Sequence, residues 1–190
     1  MKKTTTIILT VALAIGSLSF TSIKSDKKSV DVEKSKVVWK GYKVTGSHAG
    51  TIALKEGALE FDNGALVGGN FTVDMTTIVC TDKEGGLPRL EGHLKSDDFF
   101  GVENHPTATL VFTSVTSKGK NSYTVTGDLT IKGKTNPVTF DFSVYGNQAN
   151  ASLKVDRSLY DVRYGSGSFF DNLGDKTIYD EFDLVVDLVF

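Results

Sequence analysis

The side chains best suited to chemistry in this sequence are three histidines and a pair of adjacent acids. His48, His93 and His105 lie far apart and lack the HxxxH and HxH spacings that bring two imidazoles to one metal ion. Asp97 and Asp98 are sequence neighbours, so their carboxylates point in different directions on a helix or strand, and a glycosidase pair has no support. The sequence therefore predicts no catalytic residues, no metal site and no enzyme activity.

The cysteine content gives a second constraint. Cys80 is the only cysteine in the chain, which excludes an intramolecular disulfide. A lone cysteine can be a reactive thiol or can bridge two chains. More often it is a small buried hydrophobic side chain, and we expect that role for Cys80, within a strand.

The N-terminus has the composition of a secretory signal peptide. Lys2 and Lys3 precede an almost uncharged stretch, and small residues such as Ser19 and Ser22 follow it. The apolar run is shorter than the roughly 20 residues that span a bilayer. We therefore predict a cleaved signal peptide over residues 1–22, one domain over residues 23–190, and a location in the periplasm or outside the cell.

The charge of the predicted mature chain argues against one class of partner. Lys2 and Lys3 are the only charged residues among the first 22, so 19 of the 21 basic side chains remain, together with all 23 acidic ones. The net charge is then about −4 at neutral pH. No basic patch stands out, and we predict no binding to nucleic acid.

Apolar and polar residues alternate with a period of two in several segments, which indicates strands with one buried face. The alternation is clearest in Tyr123–Ile131, Val138–Val144 and Phe182–Phe190. It is typical of antiparallel strands, because parallel strands are covered on both faces and are apolar more continuously. Further strands are expected at Lys36–Thr45, Thr51–Leu54, Gly57–Asp62, Ala65–Thr76, Thr107–Val115 and Ala149–Val155.

The fold class predicted from these strands is all-β, with one short helical segment near residues 96–101. Ser96 can cap the first turn of that helix, and Pro106 should precede the next strand. A long apolar final strand, Tyr179–Phe190, needs a paired edge and a covered face, which a closed barrel provides and an open sandwich does not. We therefore predict an extended antiparallel barrel of about eight strands.

Large apolar side chains accumulate on one face of these strands. A barrel of about eight strands either fills its interior with side chains or encloses one small ligand. Periodicity does not distinguish the two arrangements, so a packed core and a hollow one are both compatible with the sequence.

Three segments resemble the YceI-like, polyisoprenoid-binding family. They are GHLKSDDFFGVENHPTATLVFTSV (Gly92–Val115), GDLTIKGKTNPVTFDF (Gly127–Phe142) and DRSLYDV (Asp156–Val162). They occur in this order behind the predicted signal peptide, and together they span residues 92–162 of the predicted mature chain. The resemblance implies a lipocalin-like barrel with a polyprenyl chain in its interior, and it marks His93, Phe99, Phe100, Asp156 and Arg157 as motif positions.

The function that this resemblance implies is that of an exported protein holding a polyisoprenoid or another long apolar lipid, for transport or storage. The ligand can be an isoprenoid quinone, and no other cofactor is expected. Transient membrane contact and a homodimer are compatible with this function. Two alternatives remain open: an enzyme acting on an isoprenoid or its head group, and a solid-core envelope stress protein without a ligand. The predicted ligand-binding residues are Trp39, His93, Phe99, Phe100, Phe112, Leu129, Phe140, Phe142, Arg157 and Tyr160.

Overall fold

The computed structural model describes residues 26–190, so the predicted signal peptide over residues 1–22 lies outside the described residues. The described chain is built almost entirely of β-structure. Its elements in chain order are β1 (Asp26–Ser29), β2 (Lys36–Lys43), β3 (Gly46–Asp62), β4 (Ala65–Cys80), α1 (Pro88–Lys95), β5 (Thr107–Gly119), β6 (Ser122–Ile131), β7 (Lys134–Tyr145), β8 (Gln148–Asp156) and β9 (Ile178–Val189), with 3₁₀ turns at Arg157–Tyr160 and Gly174–Lys176.

Strands β2 to β9 form a closed antiparallel barrel, which confirms the predicted fold class. Each strand from β2 to β8 pairs with the next one in the chain, and the pairing of β2 with β9 closes the circle. The short β1 lies outside this circle and pairs with the second half of β3. Its register places Asp26 opposite Phe61 and Ser29 opposite Ala58.

The predicted helix was placed too late in the sequence. The structure has an α-helix over Pro88–Lys95, and residues 96–101 form tight turns that follow it. Pro88 occupies the first turn, where its missing N–H costs nothing, and Ser96 is the C-cap, not the N-cap. No helix of the described residues is long and apolar enough to cross a membrane.

Several strands are longer than predicted. The two segments Thr51–Leu54 and Gly57–Asp62 belong to one strand, β3, whose register against β4 shifts between Leu54 and Glu56. Such a bulge breaks the two-residue alternation without ending the strand. The period-two pattern therefore marked the strand faces correctly but placed a false break in β3.

The barrel has two unlike ends. We call the first the turn end, where residues 63–64, 120–121 and 146–147 make two-residue connections between strands. We call the second the loop end, where the segments 81–106 and 157–177 connect β4 to β5 and β8 to β9. All long connections of the described barrel therefore lie at the loop end.

The interior near the turn end is a packed core. Leu59 and Val125 have no measurable exposure, and Phe61 and Leu66 are also buried. The ring of Phe61 lies 5.7 Å from that of Phe190, so the end of β3 contacts the residue that follows β9, on the other side of β2. Burial of each such side chain contributes about 1.5–3 kcal/mol.

Candidate functional site

The barrel encloses an apolar cavity of about 180 Å³. Its walls come from all eight barrel strands, and Leu94 of α1, Phe99, Phe100 and Arg157 bound it at the loop end. Along β9 the lining runs from Ile178 to Leu188, about 33 Å of extended chain at roughly 3.3 Å per residue. The cavity is therefore elongated along the barrel, and the buried residues Leu59, Phe61 and Val125 of the turn end do not line it.

The cavity approaches the surface in the wall formed by β2 and β9. Tyr179 lines the cavity and is 51% exposed. Gly41 and Tyr42 line it on the neighbouring strand β2, where the register with β9 is interrupted between Gly41 and Lys43. An added Cβ at Gly41 would meet no atom within 4 Å, so this irregular stretch of the wall is open beside the glycine.

The structure places eight of the ten predicted ligand-binding residues on the cavity wall. Those that line it are Trp39, Phe99, Phe100, Phe112, Leu129, Phe140, Phe142 and Arg157. His93 and Tyr160 do not. The assignment of these ten residues to ligand binding stays a prediction.

His93 and Tyr160 support the loop end from outside the cavity. The His93 ring lies 4.3 Å from the ring of Tyr164 and 5.8 Å from that of Phe99, both edge-on. Tyr160 is fully buried, and its hydroxyl has no hydrogen-bond partner among the described residues. Burial, followed by the nearby carboxylate of Asp156, raises the pKa of Tyr160 to about 12, so its phenol is neutral.

Phe99 and Phe100 follow two exposed acids and point inward. Asp97 and Asp98 are exposed, whereas both phenylalanines are buried and their rings meet edge to face at 5.0 Å. Backbone hydrogen bonds from Phe99 to the Ser96 carbonyl and from Phe100 to the Leu94 carbonyl fix this reversal. The segment therefore covers the cavity with two rings and leaves its acids in water.

Arg157 is a buried cation on the cavity wall. Its Nε, Nη1 and Nη2 donate hydrogen bonds to the carbonyls of Tyr179, Val162 and Ile178, at 3.2, 2.9 and 3.0 Å. The guanidinium carbon also lies 5.4 Å from the centre of the Phe99 ring. Arg157 thus ties the start of β9 to the 157–162 turn and to the cavity cover.

The charge of Arg157 is balanced by one acid. Nη2 lies 3.4 Å from Oδ1 of Asp180, which is otherwise without a hydrogen bond among the described residues. Burial lowers the pKa of the guanidinium, and Asp180 and Asp156 oppose that shift. Arginine stays protonated in proteins, so the charge persists and requires these partners.

Sequence patterns missed many of the aliphatic lining residues and one polar cluster. The cavity lining also includes Met75, Ile78, Leu94 and Ile178, which no motif marked. Alternation within β4 does not indicate Ile78, because a register irregularity against β3 puts this residue out of phase with the inward-facing Phe71 and Met75. The polar cluster lies beyond Trp39 and consists of His48, Cys80 and Asp82.

Hydrogen bonds join the members of this cluster. Oδ2 of Asp82 lies 2.9 Å from Nδ1 of His48, and Oδ1 accepts from the Cys80 thiol at 2.9 Å. These two hydrogen bonds hold the pKa of Asp82 below its usual value, and the bond from Cys80 has the larger effect. Burial, together with the Asp82 carboxylate, raises the pKa of the Cys80 thiol to about 11. Cys80 is buried at the end of β4, as expected from the sequence.

The geometry defines a closed eight-stranded antiparallel barrel with an apolar cavity, and comparison with known proteins identifies its family. The model of the YceI-like domain matches residues 29–190, and the chain belongs to that family. It is 34% identical over 99 residues to Protein YceI of Escherichia coli, covering 51% of this chain and 49% of that protein. The chain spans about half the length of the curated relatives it matches.

Solved structures share the fold along nearly their whole length. BcnA of Burkholderia cenocepacia has a TM-score of 0.67 and 25% identity, with 85% of this chain and 99% of BcnA aligned. A polyisoprenoid-binding domain from Saccharophagus degradans has a TM-score of 0.58 and 13% identity, with 87% and 97% aligned. The second likeness is one of fold alone.

Proposed function

We propose that the protein is an exported binding protein that holds a polyisoprenoid or another long apolar lipid in its barrel, for transport or storage. The observation that carries this proposal is the elongated cavity of about 180 Å³ with an almost wholly hydrocarbon wall. An apolar cavity of about 150 Å³ already accepts a benzene ring. The described cavity therefore has room for apolar atoms, and its length suits a chain-shaped molecule.

Burial energies support a ligand of this kind. An isoprene unit contributes about five carbons, or on the order of 4 kcal/mol of gross burial free energy at about 0.8 kcal/mol per carbon. Two units roughly equal, and three units exceed, the approximately 8 kcal/mol of micromolar binding, before the cost of association and ordering is subtracted. Affinity should therefore depend on lumen volume more than on any polar side chain.

Two polar side chains of the cavity wall are already engaged within the protein. Arg157 donates to three carbonyls and faces Asp180, and Tyr42 donates to Asp183 at 2.5 Å. These contacts favour a role in positioning the walls over a role in chemistry. We infer a non-enzymatic carrier, similar in function to the polyisoprenoid-binding domain from Saccharophagus degradans whose fold it shares. Its place of action is the periplasm or the cell exterior.

The test compares one lumen-filling variant with two controls. Ala151 of β8 lines the cavity, and the adjacent Ser152 is exposed. Ala151→Phe should lower the affinity for a fluorescent polyprenyl probe at least tenfold, because the added ring takes the volume of about one isoprene unit. Ser152→Phe adds the same ring to the outer face and should leave affinity unchanged. His93→Ala should change it less than Ala151→Phe.

Native mass spectrometry of protein purified without detergent gives the second readout. A carrier should retain a lipid-sized mass, and Ala151→Phe should reduce its occupancy. The proposal fails if Ala151→Phe binds the probe as well as Ser152→Phe does and no lipid mass accompanies the wild-type protein. Turnover of the retained lipid into a product would instead establish the enzymatic alternative.

A further inference from the structure

His48, Cys80 and Asp82 come together through the pairing of β3 with β4. Cys80 is the last residue of β4 and lies opposite Gly50 of β3, two residues after His48. Alternation along β3 puts His48 and Gly50 on the same strand face. The loop that follows β4 then brings Asp82 back over both side chains. Sequence spacing hides this set, because more than thirty residues separate its first two members.

The three side chains present one donor atom each to a common point. Nδ1 of His48, Sγ of Cys80 and a carboxylate oxygen of Asp82 all lie within 4.8 Å of one another. In a tetrahedral zinc site, bonds of about 2.0–2.3 Å separate the ligand atoms by roughly 3.3–3.8 Å. Oδ2 of Asp82 lies 2.9 Å from Nδ1 of His48, and Oδ1 lies 2.9 Å from Sγ of Cys80, so opening either pair by less than about 1 Å reaches the separation of two metal ligands.

The backbone around the cluster is well held. The Cys80 amide donates to Oε1 of Glu91 at 2.9 Å, and the Thr81 amide donates to the carbonyl of Ala49 at 2.9 Å. Trp39 donates from its indole to the Val79 carbonyl at 3.2 Å. The donors are therefore mounted on paired strands and a helix-anchored loop.

One side of the cluster is open to solvent. Cys80 is only 3% exposed, but the side chains of His48 and Asp82 are 28% and 26% exposed. An ion can enter between these two groups, and a water molecule can complete its coordination there. The arrangement has three protein ligands and one open position, as zinc sites with an exchangeable ligand do.

We propose that His48, Cys80 and Asp82 form a binding site for Zn²⁺ or another borderline-soft divalent cation. The donor set of thiolate, imidazole and carboxylate favours such ions over Mg²⁺ and Ca²⁺, which prefer oxygen ligands alone. Binding forms bonds from the metal to Sγ, Nδ1 and one carboxylate oxygen. The thiol proton leaves to solvent, and His48 carries its proton on Nε2.

The site is separate from the lipid-binding proposal but adjoins the same cavity. Trp39 lines the cavity and is the only tryptophan in the chain. Its indole occupies the space beside Gly50, where an added Cβ would lie 2.7 Å from a ring carbon. Trp39 is thus a built-in fluorescence reporter between the cluster and the cavity.

The experiment titrates metal-free protein, purified without a histidine tag, with Co²⁺ and then Zn²⁺. Co²⁺ should produce a thiolate-to-metal charge-transfer band and quench the fluorescence of Trp39, and Zn²⁺ should reverse both signals. Loss of an outer-shell partner alone costs about 10–100-fold in metal affinity. Cys80→Ser, His48→Gln and Asp82→Asn should therefore each weaken Zn²⁺ binding at least tenfold.

The matched control is His105→Gln, which removes a histidine outside the cluster and should leave Zn²⁺ affinity unchanged. Circular dichroism checks that each variant folds, and the partly exposed His48 gives an informative variant even if Cys80→Ser unfolds. The proposal is overturned if the charge-transfer band is absent, or if folded His48→Gln and Asp82→Asn bind Zn²⁺ as tightly as His105→Gln. Lipid binding that persists in either case leaves the carrier function untouched.

Discussion

The two halves of the barrel use the same strands and the same alternation of residues but arrive at different interiors. Near the turn end, Leu59, Phe61 and Leu66 fill the space between the walls. Toward the loop end the walls stay apart around a cavity, which Phe99 and Phe100 cover from above. The comparison shows that side chains of the strands fill one half of the barrel, whereas residues of the long connections bound the cavity in the other half.

The strongest test of this contrast is the removal of the buried cation at the loop end. Arg157→Ala should lower the free energy of unfolding by about 3–5 kcal/mol, because it leaves three carbonyls without donors and removes the cation beside the partly buried Asp180. Urea unfolding followed by circular dichroism measures the change. The exposed Arg163, paired with Asp161 at 2.6 Å, is the control, and Arg163→Ala should cost less than about 1 kcal/mol. Equal costs for the two variants would show that Arg157 does not hold the loop end.

A matched pair on β8 distinguishes the halves directly. Ala149 and Ala151 are both buried on the inner face, but only Ala151 lines the cavity. Ala149→Leu should destabilise the protein by about 1–3 kcal/mol through overpacking, whereas Ala151→Leu should cost less than about 1 kcal/mol because the lumen accepts the added carbons. Thermal and urea unfolding of both variants provide the comparison. A larger loss for Ala151→Leu would contradict a hollow interior at that level.

The smallest expected effect concerns the irregular stretch between β2 and β9. Asp183 accepts from Tyr42 at 2.5 Å and from Lys154 at 3.1 Å, and these bonds hold the pKa of Asp183 below its usual value. The resulting stability is fully present above the unfolded pKa of about 3.9 and is lost as the pH falls through the lower folded value. At pH 7 the free energy of unfolding of the wild type should exceed that of Asp183→Asn by up to about 1 kcal/mol. This difference should decrease as the pH falls below about 4.

The control for this pH dependence is Asp187→Asn on the same strand. Asp187 makes no ion pair with the other described residues within 4.0 Å, so its substitution should change the free energy of unfolding by less than about 0.5 kcal/mol. Urea titrations at pH 7, 4 and 3 on all three proteins provide the measurement. An Asp183→Asn gap that stays constant over this range would remove the assigned role of the carboxylate.

Local patterns in the sequence predicted most of the strands and the faces that they bury. The alternation in Tyr123–Ile131 and Phe182–Phe190 identified strands β6 and β9 and their buried faces, because one side chain in two must leave the solvent. The resemblance at Gly92–Val115 pointed to Phe99 and Phe100, which the structure places over the cavity. Neither pattern gives the width of the barrel interior, so only the three-dimensional structure distinguishes a solid barrel from a hollow one.

The features that sequence reasoning misplaced depend on long-range contacts. The helix begins at Pro88 and not at Ser96, since the Cys80 and Leu87 amides both bond to the Glu91 side chain and draw the first turn toward β4. The cluster of His48 with Cys80 and Asp82 depends on the β3–β4 register, which includes several irregularities that no alternation pattern could predict. Spacing rules detect residues that are close in sequence, so they do not detect clusters of residues that only the fold brings together.

The pairing of β2 with β9 closes the barrel, and this pairing bears on how the ligand of the proposed function would enter. Every other pair of neighbouring barrel strands is consecutive in the chain, whereas the barrel closes only when Lys36 of β2 pairs with Asp187 of β9, near opposite ends of the described chain. The lipid of the proposed function would be enclosed as this pairing forms, or would enter afterwards past Tyr179, where the β2–β9 register is irregular. A lipid enclosed during folding would stabilise the folded barrel as it forms, whereas a lipid that enters afterwards could be exchanged.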